Sequence, residues 1–157
     1  QGYDLGDEGV MTPLLEAAEH HGLIISTHSS EPVGHLYAGK GRTTPDVLWR
    51  FIQNSQEFPN VRIVCAHWGG GLPFYALMPE VKETLRNVYF DTAASPFLYT
   101  VDVFSTVERL VGADKILFGS DYPLLRPRRL LKQLEESGLS EETQQAIRTS
   151  GLRLLGL

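Results

Sequence analysis

The sequence predicts an α/β fold in which four parallel strands alternate with helices. Three observations carry that expectation. Four short β-prone runs, at residues 23–27, 61–66, 88–92 and 115–119, are close to continuously apolar, the pattern of strands covered on both faces. Segments with apolar residues at helical spacing separate them, which makes βαβ units and a parallel sheet. Each strand runs into a polar or glycine-rich loop, and those loops hold nearly all the histidines and candidate carboxylates.

Taken in order, residues 1–9 read as an entry loop. Thr12-Pro13 supplies a cap and a first-turn proline for a helix bearing Leu14, Leu15, Ala17, Ala18 and His21, and Gly22 stops it. The first strand, L-I-I-S-T, leads directly to His28. A long loop, residues 29–44, holds Pro32, three glycines and His35 before Thr44-Pro45 opens a second helix with Val47, Leu48, Phe51 and Ile52 on one face. The second strand, V-R-I-V-C-A, runs into His67, and Trp68-Gly69-Gly70-Gly71 turns the chain. A helical segment over residues 74–86 is expected to break at Pro79. The third strand, V-Y-F-D-T, carries Asp91 near its end. A helix over residues 101–111, stopped by Gly112, precedes the fourth strand, after which Asp121 and Tyr122-Pro123 end the pairing. Helices over residues 127–137 and 141–149, the latter capped by Ser140, close the chain, and the apolar tail 152–157 is expected to dock.

Composition limits the function classes. The 157 residues suit one domain, read here as residues 1–157, and the 42% apolar and 21% charged fractions are those of a globular chain. A formal net charge of −5, with basic residues clustered only at positions 126–129, points away from nucleic acid. The single cysteine, Cys65, lies in an apolar run, which excludes a disulfide scaffold and fits a reducing cytoplasm. No stretch has the length of a membrane span, so no membrane partner is expected. The first residues include no initiator Met, as expected of a segment from a longer protein.

His28, His67 and Asp121 each lie one or two residues past a strand end. In a parallel sheet those ends share one rim, so the three side chains can converge despite their distance in sequence. Imidazole and carboxylate together suit zinc and other divalent transition metals. Taken singly, each residue reads more readily as a hydrogen-bonded polar group closing a strand, with Asp121 in an Asx turn. Three in matching positions favour a site.

Four motifs, T-H-S-S-E-P-V-G-H (residues 27–35), A-H-W-G-G-G (66–71), N-V-Y-F-D-T-A (87–93) and K-I-L-F-G-S-D-Y-P (115–123), resemble those of the amidohydrolase-related metal-dependent hydrolases. That branch also contains decarboxylases of the aminocarboxymuconate-semialdehyde and resorcylate type. The resemblance implies the carboxyl-terminal half of a TIM (β/α)₈ barrel, strands five to eight. It implies that His28 ligates a divalent metal, zinc or alternatively manganese. His67 is implied to polarise substrate or orient a metal-bound water, or to ligate the metal, and Asp121 to act as ligand or general base. Glu31 and His35 fall in the first motif near the implied site, and Trp68, beside His67, is a candidate pocket wall. The family's first-strand His-x-His pair has no counterpart, since His20-His21 is adjacent and ends a helix.

The leading expectation is therefore a piece of a metal-dependent hydrolase acting on a small cyclic or carboxylated substrate. The alternatives are a non-oxidative decarboxylase on the same scaffold and a catalytically silent, self-associating half-barrel. A half-barrel exposes two sheet edges and an interior face, so a homo-oligomer, or pairing with the missing amino-terminal half, is expected. Residues 34–41 carry P-loop-like glycine and lysine spacing, but Gly41 stands where a hydroxyl belongs, and the loop reads better as a lid offering Lys40 or Arg42 to a carboxylate.

Overall fold

A computed structural model describes residues 4–34, 36 and 40–157. Four strands, β1 (Ile24–Thr27), β2 (Arg62–Cys65), β3 (Val88–Asp91) and β4 (Ile116–Leu117), form one sheet in the order β1-β2-β3-β4. All pairs are parallel, with Ile25 beside Ile63, Cys65 beside Phe90, and Phe90 beside Ile116. Because all four strands run in the same direction, every strand delivers its following loop to the same rim.

The helices are α1 (Glu8–His21), α2 (Pro45–Asn54), a tight turn α3 (Ala66–Gly69), α4 (Pro79–Thr84), α5 (Ser95–Leu98), α6 (Val103–Val111), α7 (Pro127–Glu135) and α8 (Glu141–Leu155). Their local signals match their ends. Thr44 precedes Pro45 at the start of α2, the Ser140 hydroxyl accepts from Thr143 N–H at the start of α8, and Gly22 takes a left-handed conformation after α1.

Two expectations are corrected. Helix α1 starts at Glu8, not at Thr12, because the Asp7 carboxylate accepts from Gly9 N–H and caps an earlier turn; Pro13 lies inside the helix. The tail 152–157 is largely the last turn of α8, and only Leu154 docks, while Leu152, Leu155 and Leu157 stay exposed. Helical periodicity continues past Thr149, and Gly156 provides the left-handed stop. Pro79 begins α4 after a 3₁₀ segment, Leu72–Leu77, so the anticipated break is present.

Strand alternation divides the sheet into two unlike faces. On one, Ile63, Cys65, Val88 and Phe90 pack against Leu15, Leu48, Phe51 and Ile52, and on the β4 side Ile116 packs with Phe104, Val107, Leu130 and Ile147. Full burial of each such side chain stabilises the fold by about 1.5–3 kcal/mol. Burial also pushes the Cys65 thiol far above its ordinary range, which makes it a core apolar group. On the other face Val64 and Leu117 meet Leu154, with Ile24 and Tyr89 partly covered and Ser26 exposed.

Candidate active site

The rim begins with His28, the residue after β1. Ser30, wholly buried, holds it: the Ser30 hydroxyl lies 3.0 Å from His28 Nε2, and Ser30 N–H donates to the Thr43 carbonyl at 2.8 Å. Gly41 closes over this pair. A Cβ there would stand 2.8 Å from both His28 Cδ2 and Ser30 Oγ, so the loop reaches the imidazole only because the residue is glycine.

After β2 the backbone turns left-handed at His67 and Trp68, both with φ near 55°. Asp91, at the end of β3, stabilises that turn: its Oδ1 accepts from the N–H groups of His67 and Ala93, each at 2.9 Å. The Ala93 carbonyl lies 3.0 Å from His67 Nδ1. A carbonyl only accepts, so Nδ1 carries the hydrogen and Nε2 is the ring atom left to exchange a proton or bind a ligand. Gly70 lets this turn approach the first loop, since a Cβ there would lie 2.5 Å from the Ser30 carbonyl oxygen.

Asp121 follows β4 in a left-handed conformation, φ 64°, with its side chain exposed. The strand end is fixed by Thr92, whose hydroxyl donates to the Gly119 carbonyl at 3.0 Å and accepts from Gly119 N–H at 3.1 Å.

These loops surround a cleft of about 610 Å³ lined by His28, Ser29, Glu31, Leu36, His67, Ala94, Phe97, Leu98, Asp121 and Leu124. The His28 and His67 ring centroids are 4.9 Å apart. Burial, and then the neighbouring His67, lower the pKa of His28, opposed by Glu31, Asp121 and Asp91. Burial raises the pKa of Asp91 despite its two backbone donors. The lining thus combines imidazole and carboxylate groups with the apolar side chains of Ala94, Phe97, Leu98, Leu124 and Leu36. A second cavity, about 420 Å³, lies around Trp49, Leu72, Tyr75 and Met78 and contains none of these histidines.

The structure therefore brings together His28, His67, Asp121 and Glu31. It does not bring Trp68 to the cleft. That indole is fully buried, donates from Nε1 to Ser95 Oγ at 2.9 Å and packs edge-on against Phe104, because the left-handed turn swings it into the core. His35 lies outside the described residues. Lys40 donates to the Gly34 carbonyl, and neither it nor Arg42 lines the cleft. Asp91, noted in sequence only as a strand-end residue, emerges as the positioning group for His67.

A divalent ion suits this donor set by chemistry, since two imidazoles lie close together and a carboxylate faces the same space. Among the described residues no three His, Cys, Asp or Glu side chains stand close enough to form a cage. The chain supplies part of a donor set, which water or further donors would complete.

A family model described as Amidohydrolase, of the amidohydrolase-2 type, matches residues 1–150. The chain belongs to this family. It is 29% identical over 143 residues to a 6-methylsalicylic acid decarboxylase of Penicillium expansum, covering 79% of this chain and 43% of that protein. An amidohydrolase structure from Staphylococcus aureus superposes with a TM-score of 0.75 at 24% identity, over 100% of this chain and 62% of the other. A dihydroxybenzoic acid decarboxylase from Polaromonas sp. JS666, solved with manganese and the inhibitor 2-nitroresorcinol, gives a TM-score of 0.75 at 18% identity, over 92% and 53%. The chain thus spans less than two thirds of these relatives, and its four strands are a half of their TIM-barrel architecture. Among the described residues, no helix is long and apolar enough to cross a membrane.

Proposed function

We propose that this chain forms the carboxyl-terminal half of the active site of a metal-dependent decarboxylase acting on a hydroxylated aromatic acid. The observation that carries the reading is the composition of the cleft, whose lining combines His28, His67 and Asp121 with Phe97, Leu98 and other apolar side chains suited to a ring. Family membership and the decarboxylase relatives favour this over hydrolysis, which was the leading expectation from sequence alone.

In this reading His28 and Asp121 would hold a divalent ion, manganese or zinc, which would supply positive charge to bind and polarise an anionic substrate. His67, fixed by Ala93 and Asp91, presents Nε2 to the ring. Protonated there, it donates to the carbon bearing the carboxylate. The carbon–carbon bond then breaks, its electron pair restores the aromatic ring, carbon dioxide leaves, and His67 regains its proton from solvent.

The open sheet face is covered, in the same proposal, by a second copy of this chain or by the amino-terminal half-barrel that the family resemblance implies. Light scattering should give a mass above the monomer for the isolated chain if it self-associates. A monomer that unfolds cooperatively would refute self-association.

Product analysis tests the chemistry. Carboxyl-labelled 6-methylsalicylate and dihydroxybenzoates, incubated with manganese or zinc and the chain joined to the amino-terminal half-barrel that the family resemblance implies, should release labelled carbon dioxide and the corresponding phenol. A ring-opened or hydrolysed acid retaining the label would favour the hydrolase and overturn this reading.

A further inference from the structure

Two polar side chains in the cleft are buried without partners. Glu31 is 6% exposed and its Oε1 has no hydrogen-bond partner among the described residues; Ser29 is 2% exposed and its Oγ has none either. Both line the cleft. The mechanism above uses neither.

Their position is not slack. Ser30, between them, is fixed by its bond to the Thr43 carbonyl and by the close approach of Gly70 to its own carbonyl oxygen. A carboxylate oxygen kept from water and left unpaired is costly, and it is retained where a ligand completes it. An ionised carboxylate only accepts, so the group that completes it must donate. The substrate's own carboxylate is excluded by like charge.

We propose that Glu31 is a specificity residue that accepts a hydrogen bond from a ring hydroxyl of the ligand, with Ser29 donating to the same part of the ligand. This rests on the reading that the cleft takes an aromatic ring, but not on decarboxylation itself. A site built around a hydroxyl discriminates strongly against analogues that lack the donor, because Glu31 would then stay unpaired.

The test uses phenol and anisole, which match in ring and differ in the donor, titrated against the intact chain by ligand-observed NMR. Phenol should bind at least tenfold more tightly than anisole. Glu31→Leu should bring that ratio below about two and, by removing an unpaired buried carboxylate, raise the ligand-free Tm. Glu31→Gln, which keeps an acceptor oxygen, should retain a preference of threefold or more. Equal binding of both probes, binding of neither, or a preference that survives Glu31→Leu would overturn the proposal. So would a Glu31→Gln variant that lost manganese affinity while keeping the wild-type ratio, since Glu31 would then be a metal donor. Carbon dioxide release without phenol preference would leave the decarboxylase standing and remove this role. Phenol preference without carbon dioxide release would do the reverse.

Discussion

The two faces of the sheet are built to different standards. On the helix-covered face Phe51, Phe90, Cys65 and Ile116 are wholly buried, and clusters from α1, α2, α6, α7 and α8 leave little open. On the opposite face, among the described residues, the buried cluster is small, with Leu154 reaching down to Val64 and Leu117, and Ser26 meets solvent. Parallel sheets in α/β proteins bury both faces. The helical side therefore holds the half-barrel together, and the rim carries the loops on which the proposed site is built.

That contrast predicts unequal costs of substitution. Phe90→Ala, on the covered face, should lower unfolding free energy in urea by about 3–5 kcal/mol, since the cavity has no means of closing. Asp91→Ala strands the N–H groups of His67 and Ala93 and should cost about 2 kcal/mol, with loss of cleft activity out of proportion to the loss of stability. Val64→Ala, one residue from Cys65 but on the open face, should cost only about 1 kcal/mol. Equal losses for Phe90→Ala and Val64→Ala would mean that the open face is as fully packed in solution as the covered one.

The smallest expected effect is spectroscopic. Ultraviolet titration should show a tyrosine ionising near 12, assigned to Tyr99 by its loss in Tyr99→Phe, and Glu31→Gln should shift it toward the ordinary tyrosine value. The sign for stability follows. The folded pKa exceeds the unfolded value of about 10, so the stability linked to Tyr99 is intact below pH 10 and is lost as the pH rises through 12. Glu31→Gln should reduce that loss.

Much of the fold was legible because strand runs, proline starts and glycine stops are local signals. All four strands were anticipated to within a few residues, and the convergence of His28, His67 and Asp121 on one cleft follows from parallel strand order. What local pattern concealed was set by contacts distant in sequence. Trp68 looked like a pocket wall beside His67, but the positive φ at both residues sends the indole to Ser95 and Phe104. Asp91 showed its importance only once its carboxylate met the His67 backbone. Gly41 and Gly70 sit in glycine-rich loops, and the structure shows that each lets the backbone pack closely, against His28 and Ser30 respectively. The start of α1 was missed because the Thr12-Pro13 signal is locally stronger than the Asp7 cap that the chain uses.

The central claim is that His28 and Asp121, from opposite ends of the sheet, serve one metal. Elemental analysis after dialysis against manganese or zinc, with His28→Ala and Asp121→Asn alongside the unmodified chain, tests it most directly. The account predicts near-stoichiometric metal in the unmodified chain and its loss in both variants, each of which should still unfold cooperatively. Metal that survives both substitutions, or an unmodified chain that retains none, would contradict a shared metal site on this rim.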